Sequence, residues 1–233
     1  MPCTLPASLA DAAVCRGSFH AVLGGEAGEA VFADFSAALQ KAQVEGRILT
    51  ASLFRYENHL FFYAEGLNRP FTPQGLCPAL DAALLPWPPA LGEAAPRPWA
   101  AMQPYFYHDV PTTAADWQRG RCPQRRRGRI ALLPPDSWCS YMEHHLRIVT
   151  EGLVEGDRWH LICVQEGVLF SYLEEPRTNV NINHQPGAHS PELDAWIAAD
   201  PESHFARFTP EQKAHPDSGH NFVFLPRIAG TED

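Results

Sequence analysis

Asn58-His59-Leu60-Phe61-Phe62-Tyr63-Ala64-Glu65 returns later in the chain as Gly167-Val168-Leu169-Phe170-Ser171-Tyr172-Leu173-Glu174. The shared Leu-Phe-x-Tyr-x-Glu, aromatic and aliphatic residues following a turn position, reads as a β-strand. Its two copies lie about 109 residues apart. Upstream, Arg16-Gly17-Ser18-Phe19-His20-Ala21-Val22-Leu23 matches Arg127-Gly128-Arg129-Ile130-Ala131-Leu132-Leu133 at nearly the same offset. Downstream, 104–108 is taken as the counterpart of 220–225. Three segments in one order at near-constant spacing point to an internal duplication.

The second copy predicts a strand over 129–133, a helix over 137–151 with Asp136 as its N-cap, and strands over 159–165 and 168–174. Glu166-Gly167 supplies the hairpin turn, and a helix over 190–199 precedes a last strand over 221–225. The first copy predicts a helix over 30–44 and strands over 48–55 and 59–65. The order βαββαβ is the ferredoxin-like arrangement, an α+β fold in which helices cover one face of an antiparallel sheet. The bare face needs a partner, so two tandem repeats are expected to form an intrachain pseudo-dimeric α+β barrel. The expected organisation is an N-terminal extension (1–15), a degenerate repeat 1 (16–110), a linker (111–126), a repeat 2 carrying the site (127–227) and a tail (228–233).

Composition narrows the function. An apolar content of 45% and a charged content of 19% over 233 residues suit a globular protein with a real core. The formal charge of −9 argues against nucleic acid as partner. The local basic run Arg119, Arg121, Arg125, Arg126, Arg127 and Arg129 reads as a solvated connector. There is no secretory pattern, and no apolar run approaches the roughly 20 residues that cross a bilayer, so a cytoplasmic protein without membrane contact is expected. Six cysteines without CxxC spacing read as reduced thiols. Twenty-two prolines predict long irregular loops.

The chemistry concentrates in 134–153. Trp138, Tyr141, Met142, His145, Ile148, Val149 and Leu153 fall at helical spacings and define one apolar stripe. Tyr141 and His145, one turn apart on that stripe, are suited to acid–base work on a sheltered substrate. At the duplication offset the first copy has Phe32 and Ser36, so a single working site is expected. Eight of the eleven histidines follow residue 134, but no pair has i, i+4 helical spacing or HExxH context, so no metal site is expected. Asn179, Asn181 and Asn183 read as a polar loop. Glu65 and Glu174 recur at one place in the repeat, which favours a shared structural role.

Residues 129–153 resemble the L-rhamnose mutarotase family: a strand, then Pro135-Asp136, Tyr141, His145 and Ile148 at that family's spacings, followed by Leu169-Phe170 and an aromatic strand at 222–224. The resemblance implies a ferredoxin-like, barrel-forming fold and a mutarotase needing neither metal nor organic cofactor. It implies an acid–base role for His145, with Tyr141 lining the sugar site. Trp159 and His160 would be neighbours on the facing strand, and Glu174 would contact hydroxyls. Where the family has paired tryptophans this chain has Phe205-Ala206, leaving Trp159, Trp196 or Phe205 as the stacking surface. The expected partner is a small-molecule substrate, with further homodimerisation open. Two other readings stand beside this one: a cofactor-independent cyclase or monooxygenase acting on a polyketide-like substrate, and a non-catalytic binding or assembly module.

Overall fold

The central strands are buried along almost their whole length on both faces, and apolar residues recur every three to four positions along the helices, which gives a mixed α+β fold with antiparallel sheets. The computed structural model describes residues 7–120, 122–152, 154–177, 183–184, 189–209, 211 and 221–231. In chain order the elements are β1 (Val14–Leu23), α1 (Glu29–Val44), β2 (Ile48–Tyr56), β3 (His59–Leu67), α2 (Pro78–Ala83), β4 (Leu84–Leu85), β5 (Ala100–Ala101) and β6 (Gln103–Tyr107). There follow β7 (Arg125–Leu132), α3 (Pro135–Glu151), β8 (Val154–Glu155), β9 (Leu161–Gln165), β10 (Val168–Glu175), β11 (Asn183–His184), α4 (Pro191–Ala198), β12 (Val223–Leu225) and β13 (Arg227–Gly230). No helix among the described residues is long and apolar enough to cross a membrane.

The chain divides into two units. The first takes in 7–102, 111–123 and 226–231, and its sheet runs β13-β2-β3-β1-β4, with β5 also pairing β1. The second takes in 103–110 and the described residues of 124–225, and its sheet runs β12-β7-β10-β9-β6. β8 and β11 form a separate two-stranded ladder. In each unit a strand-helix-strand-strand sequence puts the third strand between the first two, as a ferredoxin-like arrangement requires. The pairing corrects one sequence match. β6 lies on the edge beside β9, whereas β12 lies beside β7; the strand in the first unit placed as β6 is in the second is β13, beside β2. Which edge a short aromatic strand joins is set by pairing partners, which its composition does not encode.

The recurring Tyr-x-Glu has one geometry in both units. Tyr63 Oη donates to Glu65 Oε1 at 2.7 Å, and Tyr172 Oη donates to Glu174 Oε1 at 2.6 Å. Residues two apart on a strand share a face, which brings hydroxyl and carboxylate together. Glu65 also accepts from Trp117 Nε1 and from both terminal nitrogens of Arg119. Arg126 Nε lies 3.8 Å from Glu174, and Arg127 pairs with Glu175 at 2.7 Å. The basic run is therefore not a solvated connector: Arg119 and Arg126 are buried and Arg125 is exposed, while Arg121 is outside the described residues. Strand alternation and the buried carboxylates drew these arginines inward.

Three local expectations also change. Pro134 occupies the N-cap of α3 without a side-chain cap, and Asp136 sits in the first turn, where its charge still favours the helix N-terminus. Trp138 is 42% exposed and leaves the inward stripe, which keeps Tyr141, His145 and Ile148 buried with Met142 and Val149 packed at its margin; Leu153 lies outside the described residues. In α1 the inward residues are Phe32, Phe35, Leu39 and Ala42, whereas Ser36 accepts a hydrogen bond from Gly230 N. Cys122 is disulfide-bonded, which corrects the reading of six reduced thiols, because pairing depends on proximity in space and not on spacing. Cys15, Cys77, Cys139 and Cys163 carry thiols, and Cys3 lies outside the described residues.

Candidate active site

α3 begins at Pro135, where a missing N–H costs nothing, and stops at Gly152 in the left-handed conformation. Between these stops, residues 141, 145 and 148 face the sheet. His145 is 4% exposed and Tyr141 2%. The Nδ1 of His145 lies 2.9 Å from the carbonyl oxygen of Tyr141. A carbonyl only accepts, so Nδ1 carries the proton and Nε2 holds the lone pair.

Rings enclose this imidazole. Ring centroids lie 4.2 Å away for Tyr141, 4.6 Å for Trp196 of α4, 4.8 Å for Phe106 of β6 and 5.7 Å for Tyr105 of β6. Phe205 packs edge-on to Tyr141 at 5.0 Å. Burial drives the His145 pKa down to about 4; the bond to the Tyr141 carbonyl opposes the shift, and His144, His204 and His108 add to it. Near neutrality His145 is uncharged, with an acceptor at Nε2.

Burial also pushes the Tyr141 hydroxyl up to about 12 and raises Tyr105 well above its ordinary range, so both are donors near neutrality. The two hydroxyls act on each other's ionisation, the Tyr105 hydroxyl standing as donor toward the Tyr141 oxygen. Arg129 of β7 stands next to them. Its guanidinium lies 4.3 Å over the Phe222 ring, and its Nε is shut off from solvent without a partner. Burial, with Arg177 adding to it, lowers the Arg129 pKa to about 10, which leaves it a cation near neutrality. His204 is buried, with Nε2 3.3 Å from Ser140 Oγ and Nδ1 unpartnered.

The structure thus brings together His145, Tyr141, Trp196 and Phe205, with His160 at the margin through Phe106, its ring 6.1 Å away. Trp159 is half-buried ahead of β9. Glu174 is not part of the group. It alternates with Leu173 and Leu169 and so lies on the sheet face opposite α3, bonded to Tyr172. Asn179 and Asn181 are outside the described residues. In the sequence Arg129 reads only as part of the basic run, although it shares parity with the apolar Ala131 and Leu133. Phe106 and Tyr105 come from the first half of the chain, and only sheet pairing places them here.

Comparison with protein-family models and with curated proteins finds no match. Among solved structures, the chain is similar to a candidate monooxygenase from Lactobacillus acidophilus, with 6% identity, 94% of this chain and 96% of that one covered, and a TM-score of 0.41. It is also similar to an anthrone oxidase-like protein at 7% identity, with 99% and 94% covered and a TM-score of 0.39. A candidate monooxygenase from Fusobacterium nucleatum matches at 9% identity, with 95% of each chain covered and a TM-score of 0.41. The expected kinship with L-rhamnose mutarotases is overturned, and the isomerase and carbohydrate readings fall with it. No family match supports the kinship, and the similar structures are described as candidate monooxygenases and an anthrone oxidase-like protein, none of them as a mutarotase. The spacing that carried the resemblance, Tyr141 to His145 to Ile148, is that of any inward helical stripe.

Proposed function

We propose that this protein is a cofactor-independent enzyme of the monooxygenase or cyclase type, acting on a flat, hydrophobic, polyketide-like substrate at His145. The observation that carries the reading is a neutral imidazole, its tautomer fixed by the Tyr141 carbonyl, inside a cage of Tyr141, Trp196, Phe106 and Tyr105. Such a cage favours ring-on-ring contact. His145 Nε2 takes a proton from a C–H acidified by a neighbouring carbonyl, leaving an enolate. Attack of its carbon on a second carbonyl closes a ring, the C=O π electrons move to oxygen, and the alkoxide takes the proton back from Nε2. Alternatively the enolate passes electrons to O2 and the carbon bonds to oxygen; with loss of the second hydrogen, CH2 and O2 become C=O and H2O. Tyr141 holds the substrate against the imidazole. The tandem duplication belongs to the same proposal, supported by the shared strand order and the recurring Tyr-x-Glu bond.

Deuterium exchange at the CH2 of a tricyclic aromatic ketone, followed by NMR without O2, reads the base step alone; an oxygen electrode reads the complete oxidation. His145→Phe is expected to slow exchange by about 10²-fold or more. Exchange at the buffer rate with wild-type protein across a panel of such ketones would sink the proposal. One observation favours a second reading, a non-catalytic module: the same rings surround His145 on several sides, as a core residue requires. Under that reading His145→Phe changes stability and nothing else.

A further inference from the structure

We propose that Arg129, with the hydroxyls of Tyr105 and Tyr141, binds an ionised phenol or enol oxygen of the ligand and selects for ligands that carry one. This rests on the reading of the cage as a site for flat aromatic molecules. Arg129 Nε is a buried donor with no acceptor, and beside it the Tyr105 and Tyr141 hydroxyls are left to each other. A buried donor left unpaired is costly, and a charged one more so, which makes an absent acceptor the natural complement.

Arg129 shares a face of β7 with Ala131 and Leu133, which pack with Tyr141 and Tyr105 in one core. Phe222 covers one face of the guanidinium, so its N–H edge is what remains to bind. Among the described residues no carboxylate lies within ion-pair distance of Arg129. The nearby Glu202 is held by Asn221, and Arg177 is engaged with Asp157. Tyr105, Tyr141, Glu202 and Arg177 are the titratable groups that act on Arg129. The site therefore offers one cation and two neutral hydroxyl donors at the edge of an aromatic enclosure. Its complement is a flat ring bearing one anionic oxygen, because charge-assisted donors stabilise the ionised form and ring faces hold the apolar body.

The probe is 4-nitrophenol, whose phenolate is coloured and whose phenol is not, with 4-nitroanisole as the control that cannot ionise. Wild-type protein is expected to lower the apparent pKa of bound 4-nitrophenol by about one unit or more, equivalent to roughly tenfold tighter binding of the phenolate. Arg129→Met should abolish the shift and leave 4-nitroanisole affinity unchanged, and Arg129→Lys should retain part of the shift. Should Arg129→Met fail to fold, Tyr105→Phe is expected to shrink the shift. The inference is overturned if wild-type protein binds 4-nitrophenol without a shift or not at all, or if Arg129→Met keeps the shift; a site satisfied by water alone gives one of these results. A phenolate shift without ketone exchange overturns the proposed catalysis and leaves this inference standing. Exchange without any shift does the reverse.

Discussion

His145 couples the protein's stability to pH. Its folded pKa is about 4, against about 6.5 for an unperturbed histidine. Above about 6.5 both states hold it neutral. As pH falls from there toward 4 the unfolded chain takes up the proton and the folded one does not, so stability is lost, by about 3 kcal/mol at most. His59 and His108, also lowered by burial, act in the same direction. Urea melts between pH 7 and 4 should show this loss, and His145→Phe should flatten it. Glu65 acts lower on the scale. Burial alone would raise its carboxyl, yet the Arg119 guanidinium, Trp117 and Tyr63 hold it well below the usual carboxylate range. Its contribution is present above about 4.5 and is lost as pH falls further. Replacing Glu65 by Gln leaves the buried Arg119 cation unpaired and is expected to cost about 3–5 kcal/mol at neutral pH, read from the shift in denaturation midpoint.

At the scale of elements, the sequence marked most of what formed. The helix placed at 137–151 is α3, and the strands placed at 48–55 and 168–174 are β2 and β10 within a residue or two. The Glu166-Gly167 turn is present, both residues having positive φ. A Cβ on Gly167 would meet the Leu133 carbonyl oxygen at 2.8 Å. Gly167→Ala is therefore expected to cost about 1–2 kcal/mol, measurable by thermal melting, with β9 and β10 losing amide protection first. The basic run was illegible for a physical reason. A charge run gives no parity, and its arginines divide between the two faces of β7 according to register, which pairing with β10 fixes.

For the whole molecule, the decisive event is that each unit's sheet ends in a strand from the other half of the sequence. β13, from the chain's end, lies beside β2, with Thr231 Oγ1 reaching Ala51 N at 3.2 Å and Arg227 Nε donating to Ser52 Oγ at 2.9 Å. Ending the chain after Leu225 should strip this edge, so that hydrogen exchange of the β2 amides rises at least tenfold while the peptide of α3 changes less. β6 crosses the other way and carries Tyr105 and Phe106 to His145. The sequence by itself determined the α+β class, the strand-helix-strand-strand order and the inward pair Tyr141/His145, because periodicity and turn chemistry are local properties. Tertiary structure alone decided which strands share an edge, that the unpartnered Nε of Arg129 stands beside Tyr105 and Tyr141, and that Glu174 is turned away from them. Those outcomes depend on long-range pairing and strand parity, which no local stretch of sequence contains.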